Sequence, residues 1–148
     1  MNWRLLWAGV VAFLVVFNLG YVFHEIVAAD FFRESFGPGV QRPHYVIPVI
    51  ALAFALYIAL MASAYPVAHE YFAVRRSYSS LVTGVILGAF MGFLWDFLQG
   101  GLIEYATYNV GLSAMLLDST YHWLEGMLAG AIIGGLYRPR ASFVRATG

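Results

Sequence analysis

Five ionisable side chains stand inside or beside otherwise apolar stretches: His24, Glu25, Glu104, His122 and Glu125. A charge placed in hydrocarbon costs several kcal/mol on insertion scales, about 3 for Asp at a helix centre. Such groups therefore turn toward one another, toward protein or toward water. Two imidazoles and three carboxylates are adequate ligands for a divalent metal ion if they converge. The same groups suit a proton relay or a site for a polar substrate. His122 and Glu125 are three residues apart and share a helix face. Helical di-metal proteins use Glu-x-x-His on paired helices. Here the order is reversed and occurs once, so the pattern alone does not select a metal centre.

Further polar groups extend the same surface. Asn18, Tyr21 and Glu25 have near-helical spacing, and Asp96 and Gln99 are three apart. Tyr108 lies one turn beyond Glu104. Together with His122 and Glu125 these residues form the expected substrate or ligand pocket. Asp96 is the most informative member, because it falls far from either end of its apolar stretch. Each group also has a plainer reading. Glu25, His24 and His122 fall near span ends, where a polar side chain reaches the headgroup region at little cost. His69 and Glu70 read as one half of a surface ion pair with Arg75 or Arg76.

The elements that must position these groups are membrane helices. Of 148 residues, 61% are apolar and 11% charged, against about a quarter charged in an ordinary soluble domain. A chain this short has no core large enough to hide that much apolar surface, whereas lipid accepts it. The apolar runs are Leu5–Ala29, Tyr45–Ala68, a third from about Ser80, and Tyr121–Tyr137. Leu5–Ala29 is read as a retained span rather than a cleaved leader, although Ala28 and Ala29 would suit a cleavage point. The segment from Asp30 to His44 is a connection with Phe31, Phe32 and Phe36 placed to lie on a membrane surface. The third run ends either at the Gly100-Gly101 pair or, as one long or broken helix, near Tyr108. The expected fold is thus all-α: a single polytopic bundle of four transmembrane helices.

All eight basic residues are arginine. Four spans put Arg4, Arg75, Arg76, Arg138, Arg140 and Arg145 on one side, and Arg33 and Arg42 on the other. That asymmetry predicts an inner or plasma membrane protein with both termini cytoplasmic. A fifth span over 102–117 would break it. The formal charge is zero and there is no basic groove, which argues against nucleic acid as a partner. The absence of cysteine excludes disulfides and thiol chemistry.

Gly84, Gly88 and Gly92 repeat every four residues, as do Gly126, Gly130 and Gly134. Each stripe lets a helix backbone approach closely. The two stripes either pack against each other within the chain or present a face to a second copy or a partner membrane protein. Lipids are the remaining expected partners.

The segment from Gly101, GLIEYATYN, resembles the third helix of a family of small bacterial four-helix membrane proteins, domain of unknown function 2177. Gly101, Tyr105, Ala106, Thr107 and Tyr108 agree with the family pattern, while Asn109 replaces an aspartate and Val110-Gly111-Leu112 departs from Leu-Thr-Asn. Glu125-Gly126 stands where the family has an acidic residue near Trp-Gly. The resemblance covers about residues 80–137. It implies four spans and a third helix running through Tyr108, and it implies no activity. The functional expectation is a small transport or ligand-binding protein with a polar pocket between helices 1, 3 and 4. The alternatives are a membrane enzyme with a metal or proton-relay site, and a scaffold subunit.

Overall fold

The structure is a computed structural model and describes residues 3–37, 39–40 and 46–137. The described chain is helical: α1 (Trp3–Val27), α2 (Ala29–Ser35), α3 (Ile47–Val74), α4 (Ser80–Thr107) and α5 (Leu112–Leu136). Arg42, Tyr45, Arg138, Arg140 and Arg145, which entered the sequence reading, lie outside the described residues. Three helices, α1, α3 and α4, are long and apolar enough to cross a membrane, with mean hydropathies of 2.2, 2.3 and 1.9. At 1.5 Å per residue the shortest of them extends about 37 Å, against a hydrocarbon layer of about 30 Å. α5 is as long as α1 but less apolar, because it carries the ionisable stripe.

The four long helices run up-down-up-down, with α5 in contact with each of the others. At the end that holds Trp3 and Tyr137 the buried side chains are mostly apolar, with Thr83 Oγ1 and both His69 ring nitrogens buried there without a hydrogen-bond partner among the described residues. Ala12, Val16, Ile58, Met61, Ala62, Tyr65, Ala129 and Ile133 form one buried cluster there. The Tyr65 hydroxyl donates to the Ser80 carbonyl at 2.6 Å, giving a polar tip in an apolar core its partner. The glycine stripes face each other inside the chain. A Cβ on Gly84, Gly88 or Gly130 would strike the opposing carbonyl of Gly130, Gly126 or Gly84. All six stripe glycines are buried.

The other end is covered rather than packed through. α2 folds over it, and the connection that follows pairs with the α4–α5 connection. Gly37 N–H donates to the Asn109 carbonyl at 3.0 Å, and Gly111 N–H to the Ser35 carbonyl at 3.3 Å. Phe32, Val110, Ala114 and Met115 form a second small core beneath this cap.

Two boundaries differ from the sequence reading. The last helix begins at Leu112 rather than Tyr121. Its first turns, LSAMLL, were too short an apolar run to stand apart from the polar stretch that follows. The second helix does not stop at Ala68. It continues through His69–Val74 in wider i→i+5 turns just beyond Pro66, whose missing N–H already interrupts the ladder. His69 and Glu70 therefore sit on helix, with Glu70 paired to Arg75 at 3.4 Å. The third helix runs through Gly100-Gly101 without a break, and Phe93–Gly101 adopts the same wide winding. The segment 102–117 is thus two elements and not a fifth span.

Candidate metal centre and its cleft

Two of the three wide-wound segments carry site residues: Phe23–Val27 holds His24 and Glu25, and Phe93–Gly101 holds Asp96 and Gln99. Such local unwinding of an α-helix is common at functional sites. On α5, Asp118, His122 and Glu125 follow one another at four and three residues and so line one face.

His24 Nδ1 lies 2.9 Å from the Gly20 carbonyl, and its Nε2 lies 2.6 Å from Asp118 Oδ1. A carbonyl oxygen only accepts, so Nδ1 carries the proton. In a neutral ring, Nε2 then offers its lone pair to the carboxylate. His122 repeats the arrangement. Its Nδ1 lies 2.9 Å from Glu125 Oε2, and its Nε2 faces the same Asp118 Oδ1 at 3.7 Å. Glu125 is only 7% exposed and accepts a second hydrogen bond from Tyr121 at 3.2 Å. The two imidazoles stack at 5.2 Å, 21° from parallel.

Both Nε2 atoms thereby face Asp118 Oδ1, at 2.6 and 3.7 Å, and each of the three residues offers a ligand atom within 4.8 Å of the other two. Facing lone pairs repel unless a proton or a cation lies among them. Donors around a tetrahedral ion with bonds of about 2.0 Å stand roughly 3.3 Å apart; the His122–Asp118 separation of 3.7 Å is near that, while the His24–Asp118 separation of 2.6 Å is a hydrogen-bond distance that an ion would widen. Metal-ligating histidines characteristically give their other N–H to a carbonyl or a carboxylate, which fixes ring and tautomer. Gly20 and Glu125 occupy those places. The residues present fit a divalent transition-metal ion, with His24, His122 and Asp118 as its protein ligands.

The triad borders open space. Its side chains are 27%, 22% and 30% exposed for His24, His122 and Asp118. A cleft of about 500 Å³ lies on one side, between α1 and α3 and beneath α2, lined by Tyr21, His24, Glu25, Glu104, Asp118 and His122 together with apolar side chains. A second recess of about 200 Å³ holds Asp96, Gln99, Glu104, Asp118 and His122. A third, of about 120 Å³, runs inward past His122 to Asp96 and Tyr57. The Tyr57 hydroxyl is buried and has no hydrogen-bond partner among the described residues, which suits a chamber able to hold water. His122 borders all three spaces.

The structure thus brings together His24, Glu25, Tyr21, Asp96, Gln99, Glu104, His122 and Glu125 around neighbouring cavities that share His122; the pocket was expected between the first, third and last helices, and the second long helix, α3, also lines it through Ile47, Ile50, Phe54 and Tyr57. It does not place all of them alike. Of the five residues considered as ligands, only His24 and His122 face Asp118 Oδ1. Glu125 binds behind His122 as its orienting partner, and Glu25 and Glu104 line the cleft outside the converging group. Asn18 is exposed and donates to the carbonyl of Leu14 on its own helix at 2.7 Å. Tyr108 is 60% exposed and borders none of the three spaces.

Asp118 is the residue that the sequence reading missed. With the last helix started at Tyr121, Asp118 fell in a connection and had no face. The spacing Asp118-x-x-x-His122-x-x-Glu125 would have exposed it, had the polar stripe been followed one turn back.

No family model, curated protein or solved structure matches the chain.

Proposed function

We propose that this chain is a metal-dependent membrane enzyme, with one divalent transition-metal ion held by His24, Asp118 and His122. The observation that carries the reading is the pair of imidazoles locked through Nδ1, with both Nε2 atoms turned on one carboxylate oxygen. Two imidazoles and a carboxylate leave coordination positions open, as catalytic sites do and closed structural sites do not. The three side chains line the cleft, so a ligand held there could complete the shell of an ion bound to them. The donor set suits zinc or ferrous iron, which would polarise a bound oxygen or activate water there. Glu104, on the cleft wall, is the nearest candidate for handling a proton.

The bundle reads as four spans, with α5 as the fourth and innermost. Its ionisable stripe faces the other helices, so a lower hydropathy than its neighbours does not exclude it. Both termini then share one side of the membrane. The arginine asymmetry in the sequence supports a cytoplasmic assignment for that side, with the candidate site toward the opposite face of an inner or plasma membrane.

Transport, the first expectation from sequence, needs a polar route past Asp96 to the far end. Beyond Asp96 and Tyr57 stand Val16, Ile58, Met61, Ala62 and Ile133, packed and buried. A pocket closed at one end favours a site that receives a ligand over one that passes it through.

The test is elemental analysis of the detergent-purified protein after chelation and reloading. The reading expects about one ion per chain in the wild type, with losses in His24→Gln, Asp118→Asn and His122→Gln. Glu70→Gln, changed in an exposed pair at the far end, should retain the ion. Equal metal content in all five proteins would defeat the assignment.

A further inference from the structure

The 500 Å³ cleft has two chemically distinct ends. Its inner end is polar, with His24, Asp118 and His122. Its outer wall is apolar and comes from three elements: Phe17 on α1, Phe32 and Phe36 on and after α2, and Ile47, Ile50 and Phe54 on α3. The α3 members are spaced three and four apart and form one face. α1 and α3 are in contact at the opposite end, where a Cβ on Gly9 would meet Ala62 and Ile58 at 3.6 and 3.8 Å. Nearer the site Phe17 and Phe54 still meet edge to face, with ring centroids 5.9 Å apart, and the cleft opens beside them. Its rim residues Tyr21, Ile47 and Ile50 are exposed. Both helices are long and apolar enough to cross a membrane, so a rim on them would meet acyl chains if they span it.

From this geometry we infer that the cleft admits a single-chain amphiphile sideways from the bilayer, its alkyl chain against Phe17, Ile50 and Phe54 and an uncharged oxygen of its head toward the triad. The volume falls within the range of small-molecule sites, about 300–1,000 Å³. The charge pattern selects the head. Glu25, Glu104 and Asp118 line the cleft and Glu125 stands behind it, while neither Arg nor Lys is among its lining residues. An anionic head would meet carboxylates around the triad, with the bound ion as its one cationic partner. An ester carbonyl or a hydroxyl brings no charge for them to repel, and both are oxygen donors of the kind a hard or borderline metal accepts. A monoacylglycerol and a long-chain alcohol share that chemistry. The inference rests on the metal-site reading for the role of the head, and on the cleft alone for the chain.

The experiment uses the full chain in lipid nanodiscs with three diazirine-bearing probes: a monoacylglycerol, a long-chain alcohol and a fatty acid kept ionised. Crosslinks are mapped by mass spectrometry, and metal content is measured on the same samples. The inference expects the two uncharged probes to label peptides containing Phe17 and Ile47–Phe54. Ile50→Trp, which fills the cleft, should cut this labelling by about tenfold, the equivalent of about 1.4 kcal/mol. Metal content and elution volume should stay unchanged, which shows that the variant still folds. Labelling spread evenly over the outer faces of α1, α3 and α4, and indifferent to Ile50→Trp, overturns the inference. Equal labelling by the ionised fatty acid overturns the choice of head. Cleft labelling in a protein that binds no metal would sink the enzyme reading and leave the chain site standing; metal with diffuse labelling would do the reverse.

Discussion

His24 and His122 show how a ring with two nitrogens is given a single task. Each commits Nδ1 to an acceptor behind it, one a backbone carbonyl and the other a buried carboxylate, and each presents Nε2 forward. The supports are unequal, and so are the expected consequences of removing them. Glu125→Gln leaves an acceptor oxygen for His122 Nδ1 but removes the charge. Metal affinity should fall about 10- to 100-fold, as read by competition with a chelator, while the fold persists. Asp118→Asn removes a ligand charge outright and should fall further on the same scale. Because ligating imidazoles must be deprotonated, occupancy should decline as pH is lowered and metal uptake should release protons. A titration of bound metal against pH checks the sign: rising occupancy with acidity would contradict imidazole ligation.

At the scale of the element, α4 and α5 meet through bare backbone. Gly88→Ile should cost about 3 kcal/mol or more, because the added side chain meets a carbonyl that cannot move aside. Gly135, on α5, meets nothing within 4 Å. Gly135→Ala should therefore be neutral or stabilising by up to about 1 kcal/mol, through helix propensity. Thermal unfolding in detergent separates the two. This contact also shows what a sequence discloses about packing. The four-residue glycine repeats were visible, and so was their role as close-approach faces. Which face each would meet was not, since a stripe without side chains fits a neighbouring helix and a second copy equally well. The wide turns over Phe23–Val27 and Phe93–Gly101 left no mark either. Neither segment contains a proline.

Across the whole molecule the bundle is asymmetric along its axis. One end is a mostly apolar core, and the other holds neighbouring cavities under a helical cap. Hydropathy made the membrane class and three of the long helices legible, and it placed Asp96, Glu104 and both imidazoles in one region. It misplaced the start of α5 for a physical reason. The residues that build the site are the ones that depress the apolar average of the helix that carries them. Asp118 was lost with that boundary, and Glu125 was given a ligand's role instead of a supporting one. The four-span arrangement makes its own prediction. Cysteines introduced at Ser77 and Tyr108, in a chain without native thiols, should be labelled from opposite sides of the membrane, Ser77 only after permeabilisation. Labelling of both from one side would break the topology.

The most direct measurement is X-ray absorption spectroscopy of the zinc-loaded protein. Two imidazole nitrogens at about 2.0–2.1 Å with at least one carboxylate oxygen at a similar distance is the result that the geometry of His24, His122 and Asp118 requires. A shell of oxygens without imidazole, or no bound zinc at all, would contradict it.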